Sequence, residues 1–318
     1  MDTIRKTDGR PGRIAYEVAG LAWLAEASAP GAAVVPVIDH GPTWLEEPRL
    51  LSAAPTSSAA EEFGRALAHT HAAGASHLGA APPGYAGDGW MGEAPLSLPQ
   101  RQEPGARAAD PARPGGDPVR RGALDDGSQE TNSSGAQEPA NTSRGSAAAN
   151  LGDFAPASAR SWGSFYAHER IAPYLGAPAF TAADRALIGR LCERLESGAL
   201  DHDQPRLVSD AIARPGPVGA ARTHGDLWSG NVMWTPDGAV LIDPAAQGGH
   251  AEEDLAALAV FGCPHLERIT AAYHEASPLA DGWRERMALH QMHIIMVHCA
   301  IFGRSYVPEA ASIARRYA

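Results

Sequence analysis

Apolar residues recur at helical intervals through most of this chain and alternate with polar ones in only a few short stretches. Ile14, Val18, Leu21 and the pair Trp23-Leu24 predict a helix over residues 13–27. Ala33-Val34-Val35-Pro36-Val37-Ile38 then reads as extended and ends in a turn at His40-Gly41-Pro42, with a short strand expected at Arg49-Leu50-Leu51. Phe63, Leu67 and His71 stand at i, i+4 and i+8 and predict a second helix over 57–73, closed by Gly74 as its C′ residue. Further helical runs are expected at 161–174, around Trp162, Phe165-Tyr166 and Ile171, and at 181–195, 255–275 and 283–302. The last of these holds the longest apolar stretch, about ten residues against the roughly 20 that a bilayer span needs.

Between residues 101 and 160 the patterning stops. The only Val, Leu, Ile or Phe residues there are Val119, Leu124, Leu151 and Phe154, among Ala, Gly, Pro, Ser, Asn and mixed charge. Such a segment buries too little apolar surface to offset its ordering entropy, and 101–160 reads as a disordered insertion. The chain as a whole has 318 residues, 44% hydrophobic and 20% charged, which is a globular composition. With 37 acidic and 26 basic residues its net charge is −11, and it lacks the basic stripe of a nucleic-acid-binding protein. Small molecules and proteins are the expected partners. Cys192, Cys263 and Cys299 are too few and too scattered for a disulfide framework or a zinc site. They read as buried structural thiols in a reduced, cytoplasmic setting. The first residues carry no apolar run of the signal-peptide kind, so neither secretion nor a membrane is expected.

The candidate chemistry lies in one short β element. Val232-Met233-Trp234 and Ala239-Val240-Leu241-Ile242 flank Thr235-Pro236-Asp237-Gly238, a hairpin signal, and a polar loop precedes the first strand. A hairpin brings its ends together, so Asp226 and Asn231 in the loop are expected to converge on Asp243 at the end of the second strand. Asp226 and Asn231 have the offset of the aspartate and asparagine in the kinase loop H-R-D-L-x-x-x-N, with His224 and Leu227 also matching and Gly225 in place of arginine. In that chemistry the aspartate takes the proton of the attacking hydroxyl, while the asparagine and a downstream aspartate hold Mg²⁺ on the phosphates. A lone Asp–Asn pair is ordinarily a turn or a helix cap; here loop, hairpin and terminal aspartate occur together. A kinase also needs a strand lysine paired with a helix glutamate, and Lys6 and Glu17 are placed for those roles.

His224–Val232 (H-G-D-L-W-S-G-N-V), Leu241-Ile242-Asp243-Pro244, and Gly249-His250 followed by Asp254-Leu255-Ala256 resemble the fructosamine kinase family, part of the protein-kinase-like superfamily that includes aminoglycoside phosphotransferases. The resemblance extends over nearly the whole chain outside the insertion. It implies an α+β, two-lobed protein-kinase-like fold: an N-lobe at 1–54, the start of a helical C-lobe at 55–100, and the rest of the C-lobe, with catalytic loop and metal-binding hairpin, at 161–318. It implies ATP- and Mg²⁺-dependent phosphorylation of a sugar hydroxyl on a ketosamine, free or protein-bound, which destabilises the adduct and regenerates the amine, a deglycation repair. Asp226 would be the base, Asn231 and Asp243 the metal ligands, Lys6 the holder of the α/β-phosphates and Glu17 the holder of Lys6. Leu51-Ser52-Ala53-Ala54 would be the hinge that meets adenine through backbone groups. Asp254 would steady the catalytic loop. Trp228 would wall the acceptor pocket or pack beside the hairpin.

The family places two strands and a phosphate-covering loop before its lysine, whereas Lys6 stands almost at the start of this sequence. The N-lobe sheet is therefore expected to be truncated, through a start assigned too late or a lost nucleotide lid. Alternatives to the ketosamine kinase are a phosphotransferase for aminoglycosides or other amino-sugars, and an inactive pseudokinase or fragment.

Overall fold

In a computed structural model of the protein, residues 2–100 and 161–318 are described; the insertion expected at 101–160 lies outside them. Strand β1 (Thr3–Thr7) pairs antiparallel with β4 (Trp44–Pro48), which pairs in turn with β3 (Asp39–Gly41). The strand expected at Arg49-Leu50-Leu51 does not form; those residues are irregular and the strand lies five positions earlier. Leu45 and Glu47 face inward and are buried, while Trp44 and Glu46 face out. A glutamate at an inward position conceals the alternation, and the fold accepts it because Lys6 lies across the strand pair, 2.9 Å from Glu47.

Helix α1 (Arg13–Ala25) follows β1 and lies against the segment Pro244–Ala246. The approach is close: a Cβ on Gly20 would stand 3.1 Å from that of Ala246, and the Tyr16 hydroxyl donates to the Ala246 carbonyl at 2.9 Å. The hairpin forms as β8 (Val232–Thr235) and β9 (Gly238–Leu241), and the expected extended segment contributes β2 (Ala33–Val34), parallel to β9. Helix α2 (Ser57–Ala72) starts where Thr56 caps the Ala59 amide at 3.1 Å and stops before Gly74.

In the helical part, α3 (Trp162–Phe165) continues through a π-helical turn at Tyr166–Ile171. Then come α4 (Ala182–Glu196), capped by the reciprocal Thr181–Asp184 box, and α5 (Arg206–Ala213). The run expected at 255–275 is two helices, α6 (Ala251–Val260) and α7 (Leu266–Ala276); between them Pro264 removes an amide donor. Cys263 sits in that break and is half-buried, unlike the buried Cys192 and Cys299. Helices α8 (Trp283–Phe302) and α9 (Val307–Tyr317) close the chain. One apolar core joins α3, α4, α8 and α9 to a small hairpin of β5 (Gly89–Met91) and β6 (Ala94–Leu96); another joins α2, α6 and α7 to β8 and β9. Two three-residue strands, β7 (Ala221–Thr223) and β10 (Gln247–Gly249), pair antiparallel on either side of the loop and hairpin. No helix among the described residues is long and apolar enough to cross a membrane.

A buried polar cluster sits where α6 meets α8. His202, His250, Glu252 and His290 bring potential metal-ligating atoms within 4.8 Å of one another. Hydrogen bonds already engage them. Arg286 chelates the Glu252 carboxylate with two bonds of 2.7 Å. His202 Nδ1–H donates to Leu200 O at 2.8 Å, which leaves its Nε2 to accept from His290 Nε2–H, also at 2.8 Å. His250 accepts the Glu252 amide on Nδ1 and donates from Nε2 to Asp203 O, both at 3.2 Å. The cluster is thus a hydrogen-bonded clasp between helices.

Burial, with His290 beside it, lowers the His202 imidazole from 6.5 to about 4, and His250 is lowered well below its usual value for the same reason. The unfolded chain takes up these protons near pH 6.5 and the folded chain does not, so stability is full above pH 6.5 and falls as pH drops toward 4. His202→Gln removes that group's share. The variant should lose about 2–3 kcal/mol less than the parent between pH 7 and 4.5, measured by denaturant unfolding at both pH values. Parallel losses in the two proteins would show that His202 is not a source of the acid sensitivity.

Candidate active site

The loop between β7 and β8 is held from beneath by one carboxylate. Asp254, in the first turn of α6, accepts the amides of His224 at 2.7 Å and Gly225 at 3.0 Å. His71 of α2 reaches the same carboxylate at 3.1 Å and holds the Tyr273 hydroxyl of α7 at 2.9 Å through its other nitrogen. Burial works to raise the Asp254 carboxyl, but His71, His224 and the loop amide keep it below its usual value. Gly225 has φ +82°, and a Cβ there would stand 2.0 Å from the Ala245 carbonyl. That is why glycine replaces the arginine of the kinase loop at this position. His224 Nε2–H donates to Ile242 O at 2.9 Å and its Nδ1 accepts the Asp226 amide at 3.3 Å, so the ring is neutral and ties loop to hairpin.

The expected convergence is present. Asn231 Nδ2 donates to the Asp226 carbonyl at 2.7 Å and to Asp226 Oδ2 at 3.3 Å, and lies 3.5 Å from the Asp243 carbonyl. Asp243 follows β9 with φ +53°, a left-handed conformation rare outside glycine, before Pro244. Burial lifts the Asp226 carboxyl to about 6; Asp243 and Asp254 add to this, while Arg13 and the Asn231 amide oppose it.

Lys6 projects from β1 into the same place. Its ammonium pairs with Glu17 of α1 at 3.2 Å, Glu47 of β4 at 2.9 Å, and Asp243. Burial works against the Lys6 charge, but Glu17 and Asp243, with Glu47, raise its pKa well above the ordinary value. Burial raises both Glu17 and Glu47, against Arg13 and Lys6 at the first and Lys6 at the second. The Lys6–Glu17 pair is the one the sequence predicts; Glu47 is the carboxylate it conceals, and the inward step shared by Leu45 and Glu47 is the signal that could have found it.

The segment Leu51–Ala54 is irregular and links the first sheet to α2. Its Ala53 amide is committed to the Trp234 carbonyl at 2.8 Å, whereas the amides of Leu51, Ser52 and Ala54 find no acceptor among the described residues. The Trp228 ring lies over Gly230 at the entry to the hairpin, is 38% exposed and faces Phe261 edge-on at 6.1 Å. With Asp226, Met91, Glu93, His298 and Phe302 it lines a cavity of about 210 Å³.

Comparison with solved structures defines the class of fold. A candidate fructosamine-3-kinase of Thermobifida fusca YX-ER1 superposes with TM-score 0.68 at 32% identity, covering 99% of this chain and 85% of the other. A second candidate fructosamine-3-kinase, from Haemophilus somnus 129PT, shares the fold at TM-score 0.61 and 17% identity, covering 99% and 82%. The fold is the α+β protein-kinase-like one. The sequence model described as fructosamine kinase matches residues 155–318, more than half of the chain, and the chain belongs to that family. Ketosamine-3-kinase of Mus musculus is 33% identical over 157 residues, 49% of this chain and 47% of its own length. A candidate ketoamine kinase of Escherichia coli K12, YniA, is 32% identical over 152 residues, 46% of each. The chain thus spans about half the length of these two curated relatives in matching sequence.

Removing the Asp254 carboxylate leaves two loop amides and a buried imidazole without their acceptor. Asp254→Ala should lower the unfolding free energy by about 3–5 kcal/mol, and Asp254→Asn by less because one carbonyl oxygen remains. Denaturant unfolding reads both. An alanine variant within about 1 kcal/mol of the parent would mean that other contacts hold the loop.

Proposed function

We propose that the chain transfers the γ-phosphoryl group of ATP to a sugar hydroxyl of a ketosamine. The observation that carries this reading is the meeting of Lys6, from the first strand, with Asp243, Asn231 and Asp226, from the loop and hairpin. On this reading residues 1–54 form the nucleotide-binding lobe and 55–100 with 161–318 the acceptor lobe.

Asp226 acts as the base. Its carboxylate is steadied by the Asn231 amide, and burial makes it more basic than an ordinary aspartate, so it can take the hydroxyl proton at Oδ as the oxygen attacks. Lys6, kept charged by its carboxylate partners, pairs with phosphate oxygens, and Glu17 and Glu47 fix its direction. The amides of Leu51, Ser52 and Ala54, with neighbouring carbonyls, are available to an adenine edge, and Trp228 walls the acceptor cavity. The hard oxygen donors of Asn231 and Asp243 suit Mg²⁺, and the carboxylates gathered around a single lysine favour a further cation. When bound there, Mg²⁺ supplies neutralisation of phosphate charge. Phosphorylation would commit the ketosamine to release of its amine, a deglycation role.

The test is ketosamine-dependent ADP release with MgATP, comparing the parent with Asp226→Asn. The amide cannot take a proton, so turnover should fall by about 10²–10⁴-fold with the fold unchanged by circular dichroism. Turnover by Asp226→Asn within tenfold of the parent would remove the base assignment.

A further inference from the structure

The rings beside Asp226 form a continuous surface. Trp228 meets Phe261, Phe261 lies 5.1 Å from His298 and 6.5 Å from Tyr306, and Phe302 lies 5.3 Å and 6.0 Å from the same two rings. Phe261 and Phe302 are 44% and 60% exposed, and with Trp228 they make a contiguous apolar patch on the rim of the cavity. Exposed apolar surface gathered in this way marks a binding site more than a packing defect. His298 belongs to the patch as a neutral ring: its Nδ1–H donates to Ile294 O at 2.7 Å, and burial holds its imidazole below the usual value.

The size of the cavity decides how an acceptor would lie. At about 210 Å³ it falls below the roughly 300–1,000 Å³ of pockets that enclose drug-sized ligands. A sugar can occupy it next to Asp226, and whatever the nitrogen carries must then extend over the rim onto the rings. The nitrogen of a ketosamine is a secondary ammonium. Glu93, between β5 and β6, places a carboxylate among the residues that line this cavity, and aromatic faces attract such a cation.

We propose that Phe261, Phe302 and Tyr306, with Trp228, form a shelf that binds the nitrogen substituent of the acceptor and selects ketosamines whose amine carries an aromatic or extended apolar group. For the sugar end this rests on the kinase reading above. The shelf is made by α8 and its C-terminal turn together with the break between α6 and α7, and Trp228 joins it to the loop that carries the reacting groups.

The experiment uses the full chain and two probes, the fructose adducts of benzylamine and of methylamine. Calorimetric titration without nucleotide measures binding, and ADP release with MgATP measures turnover. The parent should bind the benzylamine adduct about tenfold more tightly than the methylamine adduct, the size expected of aromatic stacking plus added apolar contact. Phe302→Ala should reduce that ratio to about twofold or less and Phe302→Trp should restore it, with unfolding midpoints confirming that both variants fold. Discrimination without ADP release would uphold the shelf and remove the kinase reading. Turnover of both adducts with equal affinity, or a ratio unmoved in Phe302→Ala, would overturn the shelf and leave the kinase reading standing. The absence of both binding and turnover with either adduct would overturn both.

Discussion

The position of Asp226 and of the loop that carries it depends on a carboxylate that touches none of the chemistry. Asp254 is buried at the start of α6, where the helix N-terminus favours a negative charge, and it accepts two consecutive amides of the loop that leads to Asp226. Two amides on one carboxylate can be satisfied together only if the backbone turns sharply between them and the next residue. Gly225 supplies that turn in the left-handed region, where the Ala245 carbonyl leaves no space for a side chain. His71 on the same carboxylate carries the constraint into α2 and, through Tyr273, into α7. The loop is therefore fixed by three helices before it meets any ligand, which is the preorganisation that charge-stabilising sites require.

A second constraint, electrostatic rather than steric, joins the first sheet to the end of the hairpin. One ammonium, on Lys6, faces Glu17, Glu47 and Asp243, and Arg13 lies 3.2 Å from Glu17 as a partial counterweight. Burial raises the two glutamates because the cations do not fully compensate them. A buried surplus of negative charge would be a liability in a structural core. In a cleft that takes up a cation together with a polyanionic nucleotide it becomes an asset, since the surplus favours the cation and the lysine then has phosphate oxygens to hold.

How much of this was legible follows from how local each signal is. The hairpin, the convergence of Asp226, Asn231 and Asp243, and the Lys6–Glu17 pair can be read because each rests on a turn, a spacing or one strand followed by one helix. The first two helices were clear from periodicity to within about two residues. The strand Trp44–Pro48 was displaced to residues 49–51 because its inward Glu47 is intelligible only once Lys6 is seen across the sheet. The pairing of β7 with β10 rests on three residues per strand and a partner some two dozen residues away, below what periodicity can detect. Helices α6 and α7 merged into one run because apolar spacing resumes with little phase change past Pro264. Glu93, Phe261 and Phe302 were invisible as site residues for the same reason as Glu47: what matters about them is who stands beside them.

That last group shows where polar and apolar chemistry divide the cleft between them. The loop and hairpin present carboxylates and an amide, all suited to hydroxyls and charge. The α8 side presents rings left open to solvent next to a cavity too small for more than a sugar. An acceptor that were a bare polyol, held within the cavity, would leave Phe261 and Phe302 on the rim uncovered, and exposing them would then be an aggregation hazard. A ketosamine has two unlike halves joined by a cationic nitrogen, and a site with a polar half, an apolar half and a carboxylate on the cavity lining matches that division group for group. The rings thus bear on which amines the site distinguishes, while the choice of sugar falls to the residues around Asp226.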